Sequence, residues 1–398
     1  MVWRFFLSIF NLPDTIFMTG ISNVMDNSSA FWVVNSLFVF ALSVFCAGVL
    51  IPQILLISFR KRLFDVPDER KIHQGVVPRL GGIAFKPVVF FSVALALGLN
   101  MLLGYGQLLG NIGRGSRPLA FGFCTIMMLY LVGMADDLIG IRYRAKFAIQ
   151  IICGLLVIAG GLWINNLHGL LFIHALLEWI GYPITLFAVV FIINAINLID
   201  GIDGLASGLC GVAMLFHGLV FFIIGEYIYA LLAFATLGVL VPFFYYNVFG
   251  DPAKKNKIFM GDTGSLTIGM MTCILSLKLL NGFPVNPSMQ QPNAFFLAYS
   301  PLIIPCFDVV RVYLHRVRNG KNPFLPDKNH IHHKMLAIGM KQRTAMITIV
   351  LISVCFTLCN ILLSRYINVT LLLVLDIFIW TLGNLWLTRR IHIAHSKL

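Results

Sequence analysis

Long apolar runs, each closed by a few polar residues, set the pattern of this chain. Eleven stretches are apolar and long enough to cross a bilayer, which takes about 20 residues in helical form. They are 32–58, 83–104, 118–134, 146–164, 179–196, 205–224, 227–248, 264–282, 295–314, 343–363 and 369–387. The runs are continuous and show no alternation, so they predict helices and not the strands of a membrane barrel. Gly225 and Glu226 are the expected turn inside the long 205–248 region. The predicted fold class is an all-α polytopic membrane protein. It divides into an N-terminal extension (1–30), a single transmembrane domain (31–388) and a short tail (389–398).

Composition agrees with that pattern. Of 398 residues, 59% are hydrophobic and 11% charged, whereas soluble domains carry about a quarter charged residues. The formal net charge is +13. Basic residues crowd the loops 60–79, 135–146, 247–261 and 311–343 and the C-terminal tail, and the opposite loops hold only Arg114, Arg117 and Arg365. The positive-inside rule therefore predicts an outside N-terminus and a cytoplasmic C-terminus. It also explains the charge without nucleic acid, for which no basic stripe with interleaved aromatics exists. The eight cysteines lie in apolar runs without a Cys-x-x-Cys pair and read as small buried hydrophobes.

Against this background three polar clusters stand out, all at span boundaries on the basic face. Asp136 and Asp137 close the third span. Asn194, Asn197, Asp200 and Asp203 recur every three residues, interrupted by Gly201 and Gly204. Phe259, Gly261, Asp262, Thr263 and Ser265 open the eighth span. Ionisable groups so near lipid mark a functional site by default, and hard oxygen donors suit Mg²⁺ holding a phosphate better than zinc or iron.

Each cluster also has a simpler reading. Asp136 and Asp137 form either a cation site or general base for a phosphate nucleophile, or a solvated helix end; Arg142, Arg144 and Lys146 follow as a phosphate-binding edge. Asn194 and Asn197 share a helix face, and the glycines let the backbone approach a ligand; a plain glycine turn is the alternative. Thr263 or Ser265 is the expected cap of the eighth span, with Asp262 just outside it as a Mg²⁺ ligand and Phe259 as an exposed stacking surface. His330, His332 and His333 lack the spacing of a structural zinc site and sit among lysines and arginines, which favours phosphate or sugar oxygens as their partners. Asp308 and Arg311 read as an ion pair three residues apart. Asp376 lies deep in the last span without an evident partner.

Taken together, these motifs resemble the polyprenyl-phosphate N-acetylhexosamine-1-phosphate transferases (glycosyltransferase family 4), most of all the bacterial undecaprenyl-phosphate GlcNAc-1-phosphate transferases. The match runs over about residues 60–343. It comprises Asp68, Arg70, Lys71 and His73 with Pro78, Arg79, Gly81 and Gly82; Asp136 and Asp137 with Lys146; the Asn/Asp repeat; Phe259 to Ser265; and Pro326, Asp327 and the His330–His333 motif.

The resemblance implies Mg²⁺-dependent transfer of GlcNAc-1-phosphate from UDP-GlcNAc to undecaprenyl phosphate, with release of UMP. This would be the first lipid-linked step of a cell-wall or O-antigen polysaccharide. Mn²⁺ would substitute for Mg²⁺. The same reaction with another N-acetylated sugar or MurNAc-pentapeptide is the alternative; an ion-coupled transporter fits less well, because the charges gather on one face and not at the midplane. By the same resemblance, Asp262 and Asn197 hold the metal, and Asp136 and Asp137 orient or deprotonate the acceptor phosphate, which Lys146 contacts. Asp203 and Phe259 hold the uracil, and Asp200 and Asn194 lie at the nucleotide or diphosphate. His330, His332 and His333 sit near the sugar and diphosphate, and Lys71 and His73 close the nucleotide side. It further implies a multi-pass protein of the bacterial inner membrane with membrane lipid as its surroundings, and it is compatible with a homodimer.

Overall fold

The computed structural model describes residues 27–63, 77–105, 116–282, 293–320, 322 and 329–395. Within them helices occupy all eleven predicted spans. In chain order these are α1 (Asn27–Lys61), α2 (Phe85–Leu102), α3 (Ser116–Ile139), α4 (Tyr143–Ala159), α5 (Glu178–Ile199), α6 (Leu205–Ile223), α7 (Tyr227–Val248) and α8 (Gly261–Gly282). Then come α9 (Ala294–Tyr299) and α10 (Ile303–Arg318), which share one span, the short α11 (Ile331–Ala337), α12 (Gln342–Leu363) and α13 (Val369–His395).

Ten of the eleven spans are helical stretches long and apolar enough to cross a membrane. The other, α4, has 17 residues, the short end of what a hydrocarbon core requires. The ninth span is broken because Pro301, in the tight turn Ser300–Leu302, has no N–H to continue the ladder of α9. Gly225, with φ +80°, makes the turn between α6 and α7.

The bundle is built around α8. Of its apolar stretch 94% is buried, against 28% for α1 and for α13, which present most of their surface outward. Neighbouring α3 and α5 flank α8, and α1, α2, α6 and α7 pack beyond it. A central helix has to let other backbones come close, and small residues permit this. A side chain on Gly133 of α3 would stand 2.6 Å from Thr263 Cα, and one on Gly82 would collide with the backbone of Gly264.

Consecutive spans alternate in direction, so α3, α5, α7 and α10 end, and α4, α6, α8 and α12 begin, at the same end of the bundle. Several helices there extend past their predicted boundaries, and two of these extensions bear on the polar clusters. α3 continues to Ile139, so Asp136 and Asp137 lie in its last turn. α8 begins at Gly261, so Asp262 and Thr263 belong to its first turn. Asp376 is not isolated either: buried in α13, it accepts a hydrogen bond from Asn360 Nδ2 of α12 at 2.8 Å.

Candidate active site

A helix N-terminus carries unpaired N–H groups and a partial positive charge, and a helix C-terminus the reverse. Carboxylates in the last turn of α3 are therefore badly placed for their own helix. The structure resolves this by handing Asp137 to α8. Its Oδ1 accepts from Asp262 N at 2.8 Å, and its Oδ2 accepts from Thr263 N at 2.8 Å and from Thr263 Oγ1 at 2.6 Å. The cap of α8 thus comes from another helix, and neither Thr263 nor Ser265 supplies it. Thr263 donates to Asp137, and Ser265 Oγ donates to Gly261 O at 3.1 Å. Asp137, expected as a cation ligand or base, has both oxygens committed to this cap. Gly261, at φ +69°, is required where the chain turns beneath Arg79 O and the Asp137 carboxylate.

Asp136, also part-buried, turns to other partners. Its Oδ1 accepts from Ile141 N at 2.6 Å and its Oδ2 from Lys146 Nζ at 3.0 Å. The same ammonium reaches Asp262 Oδ2 at 2.7 Å and so bridges two carboxylates from different helices. Asp262 Oδ1 accepts from Asn197 Nδ2 at 3.1 Å, and Asn197 Nδ2 also donates to Ser265 Oγ at 2.7 Å. These groups join α3, α4, α5 and α8 at one point. Asn194, one turn before Asn197, points elsewhere. Its amide pairs with Gln150 of α4, at 2.7 Å in one direction and 3.4 Å in the other. Such an interhelical pair contributes about 0.6 kcal/mol within a bilayer, and it makes Asn194 a clamp between α4 and α5.

The segment before α2 is tied to the segment before α8. Phe259 N donates to Pro78 O at 2.9 Å, Gly81 N to Phe259 O at 3.0 Å and Gly82 N to Met260 O at 2.9 Å. Phe259, expected to be exposed, is half-buried by this pairing. Lys71 and His73 lie outside the described residues.

The turn between α5 and α6 supplies the third side. Asn247 accepts from Gly204 N at 2.7 Å and donates to Ile258 O at 2.8 Å, fixing this turn against the strand-like segment ahead of α8. Asp203 pairs with Lys257 at 2.5 Å through Oδ2. Asp200, just past the end of α5, keeps exposed surface while the Asp262 and Asp203 carboxylates lie near it. Loss of hydration, reinforced by the Asp262 and Asp203 carboxylates and opposed by Arg79, pushes its carboxyl up to about 7.

Gly201 connects this turn to the histidines. A side chain there would overlap the imidazole of His332, which is buried. Desolvation, then His333, holds His332 down at about 3, so it is neutral at physiological pH, and among the described residues its Nδ1 has no hydrogen-bond partner. The His332 and His333 rings are 4.2 Å apart, and His330 stacks parallel to His332 at 5.7 Å. Because His332 cannot move without disturbing both neighbours, Gly201→Ala is expected to lower turnover roughly 100-fold, the scale of a misplacement of about 1 Å. Initial-rate measurements on the purified variant check this; wild-type turnover would show that His332 does not matter.

The structure therefore gathers Asp136, Asp262, Asn197, Lys146 and Asp200 at one recess, with the histidines against its rim. Asp137 stands behind it as a cap and Asn194 is turned away. Gln150, Asn247, Lys257 and the link from Asp308 to His330, described below, were not among the residues singled out from sequence. Each is a single polar residue whose partner is known only once the helices pack.

Among the described residues no group of three or more His, Cys, Asp or Glu is disposed to hold a metal by itself. Mg²⁺, however, is ordinarily held by one or two carboxylates with waters and substrate phosphates completing its shell. The donor set of Asp262 with Asn197 Oδ1, which accepts no hydrogen bond among the described residues, fits that kind of site.

Known transferases are similar to this chain over most of its length. The family described as glycosyl transferase family 4 matches residues 119–280. The chain is 30% identical to the undecaprenyl-phosphate alpha-N-acetylglucosaminyl 1-phosphate transferase of Yersinia pestis, covering 78% of this chain and 79% of that protein. It is 30% identical to a probable undecaprenyl-phosphate N-acetylglucosaminyl 1-phosphate transferase of Bacillus subtilis, over 85% and 88%. It is 32% identical to the Escherichia coli K12 transferase of the same name as that of Yersinia, over 73% of each.

Proposed function

The chain belongs to glycosyl transferase family 4, and from that membership we propose that it moves N-acetylhexosamine-1-phosphate, specifically GlcNAc-1-phosphate, from a UDP-sugar to undecaprenyl phosphate. A phosphate oxygen of the lipid attacks the sugar-linked phosphorus. That P–O bond forms as the bond to UMP breaks, leaving a polyprenyl-diphosphate sugar in the membrane. The observation that carries this reading is the meeting of Asp136, Lys146, Asn197 and Asp262 from four helices at the end of the bundle where basic loops cluster.

On this reading the site faces the cytoplasm, with the C-terminus, because the basic loops lie on that side. The protein sits in the bacterial inner membrane. Asp262, with Asn197, would hold a divalent cation, Mg²⁺ or Mn²⁺, whose chemistry is to neutralise the phosphates that must approach each other. Lys146 then serves the acceptor phosphate, and Asp136 sets the position of Lys146. A lipid monophosphate has a second pKa near 6, as phosphoserine does, and is largely ionised at neutral pH. Asp136 is thus not needed as a base. Asp203 keeps Oδ1 for the uracil while Lys257 holds Oδ2, and Phe259, Lys71 and His73 complete the nucleotide side. Asp200 and the histidines lie toward the diphosphate and sugar.

Purified protein incubated with undecaprenyl phosphate and a panel of UDP-sugars tests the reading. Mass spectrometry of the lipid fraction is expected to show a diphosphate-linked GlcNAc product. Turnover of another UDP-sugar alone would correct the donor, and no lipid product from any donor would remove the function.

A further inference from the structure

Asp308 lies in α10, fully buried, and no role in the chemistry above has been given to it. The ion pair expected from sequence is present: Arg311 Nη2 donates to Asp308 Oδ1 at 2.7 Å. The same oxygen accepts from Ile331 N at 3.0 Å, at the start of α11. Oδ2 accepts from His330 Nδ1 at 2.8 Å, across 22 residues of sequence. Anchoring α11 needs only Oδ1, whose two donors also offset the cost of burying a charge. The second oxygen is given entirely to the imidazole.

A carboxylate oxygen has no proton to offer, so His330 Nδ1 carries the hydrogen whether the ring is neutral or charged. Its Nε2 has no hydrogen-bond partner among the described residues. The ring plane is fixed from the other side by parallel stacking on His332, at 3° between planes, and His332 is wedged against Gly201 beside Asp200. Among the described residues, the ionisable groups around His330 are Asp308 and Arg311 from α10 and His332, His333 and Lys334 from α11.

Building on the transferase reading, we propose that Asp308 is a positioning residue, which fixes His330 with its proton on Nδ1 and reserves Nε2 for phosphate oxygens of the nucleotide-sugar. Asp308 acts only through His330 and touches no substrate. Groups that orient a ligand-bearing histidine in this way commonly change activity 10–100-fold when replaced. Asp308→Asn presents an amide that can donate to Nδ1 and so permits the opposite tautomer.

A double-mutant cycle with a spectroscopic readout tests this. Asp308→Asn is expected to reduce kcat roughly 10–100-fold with KM for the UDP-sugar within about threefold. His330→Gln should lose at least as much, and the double variant no more than His330→Gln alone. A merely structural Asp308 would add its loss in the His330→Gln background. Turnover of Asp308→Asn within threefold of wild type, or multiplicative losses, would overturn the proposal.

The second readout uses ¹⁵N-histidine-labelled wild-type protein in detergent. It should give one Nδ1-protonated, hydrogen-bonded imidazole signal that disappears in His330→Gln; an Nε2-protonated ring at that position would also overturn it. This signal decides the point even if Asp308→Asn fails to fold. If the wild type turned over no UDP-sugar, the transferase reading would fall while the signal still reported on Asp308.

Discussion

Asp262→Asn is expected to reduce transfer by at least about a thousandfold while the protein stays folded, the scale on which a divalent cation and its charge neutralisation act in phosphoryl chemistry. Folding should survive because the backbone N–H of Asp262, not its side chain, takes part in the α8 cap. The asparagine carbonyl can still accept from Asn197, and the substitution removes the charge together with the Lys146 ion pair at Oδ2. Chelation with EDTA should bring wild-type protein to a similar floor, with recovery on adding Mg²⁺ or Mn²⁺. Initial rates with gel filtration as a control check both. Turnover of Asp262→Asn within tenfold of wild type, or activity that survives chelation, would separate Asp262 from the metal.

Asp137→Ala should do something different. It takes away three hydrogen bonds and leaves two backbone N–H groups at a buried helix start without a partner, each worth about 1–3 kcal/mol. The expected result is a fall in Tm of about 5 °C or more in detergent. Asp136→Ala removes contacts to Ile141 and Lys146 but orphans no helix-start N–H groups, and should lower turnover with a much smaller change in Tm. Thermal unfolding of the two variants side by side separates a structural carboxylate from one that serves chemistry. An Asp137→Ala protein with wild-type Tm and no activity would return Asp137 to the reacting groups.

The adjacent pair Asp136 and Asp137 shows how far the chain could be read. Its place at the end of a span was legible from the apolar run before it, and so was its company with Asp262 and Asn197, since all four lie at span boundaries on the same basic face. What sequence concealed was which carboxylate turned where. Successive residues of a helix point about 100° apart, so one faces α8 and the other Lys146, and only the packing of α3 on α8 decides which. Asn194 and Asn197 repeat the lesson. They share a helix face, yet one meets Gln150 and the other Asp262 because α4 and α8 border that face at different depths. Asp376 looked solitary because its partner Asn360 sits in another span. The helices themselves were legible because a bilayer leaves few alternatives for a run of apolar residues. The contacts between them depend on single polar residues far apart in the chain.

The nucleotide released tests the account most directly. A carboxylate, lysine and amide site built to bring two phosphates together should cleave the donor between its phosphates, so purified protein, undecaprenyl phosphate and UDP-GlcNAc should yield UMP in a one-to-one ratio with a diphosphate-linked lipid. Quantifying nucleotide and lipid in the same reaction makes the comparison. Release of UDP with a monophosphate-linked sugar lipid would mean that the donor is cut at the sugar, and the chemistry assigned to this site would be wrong.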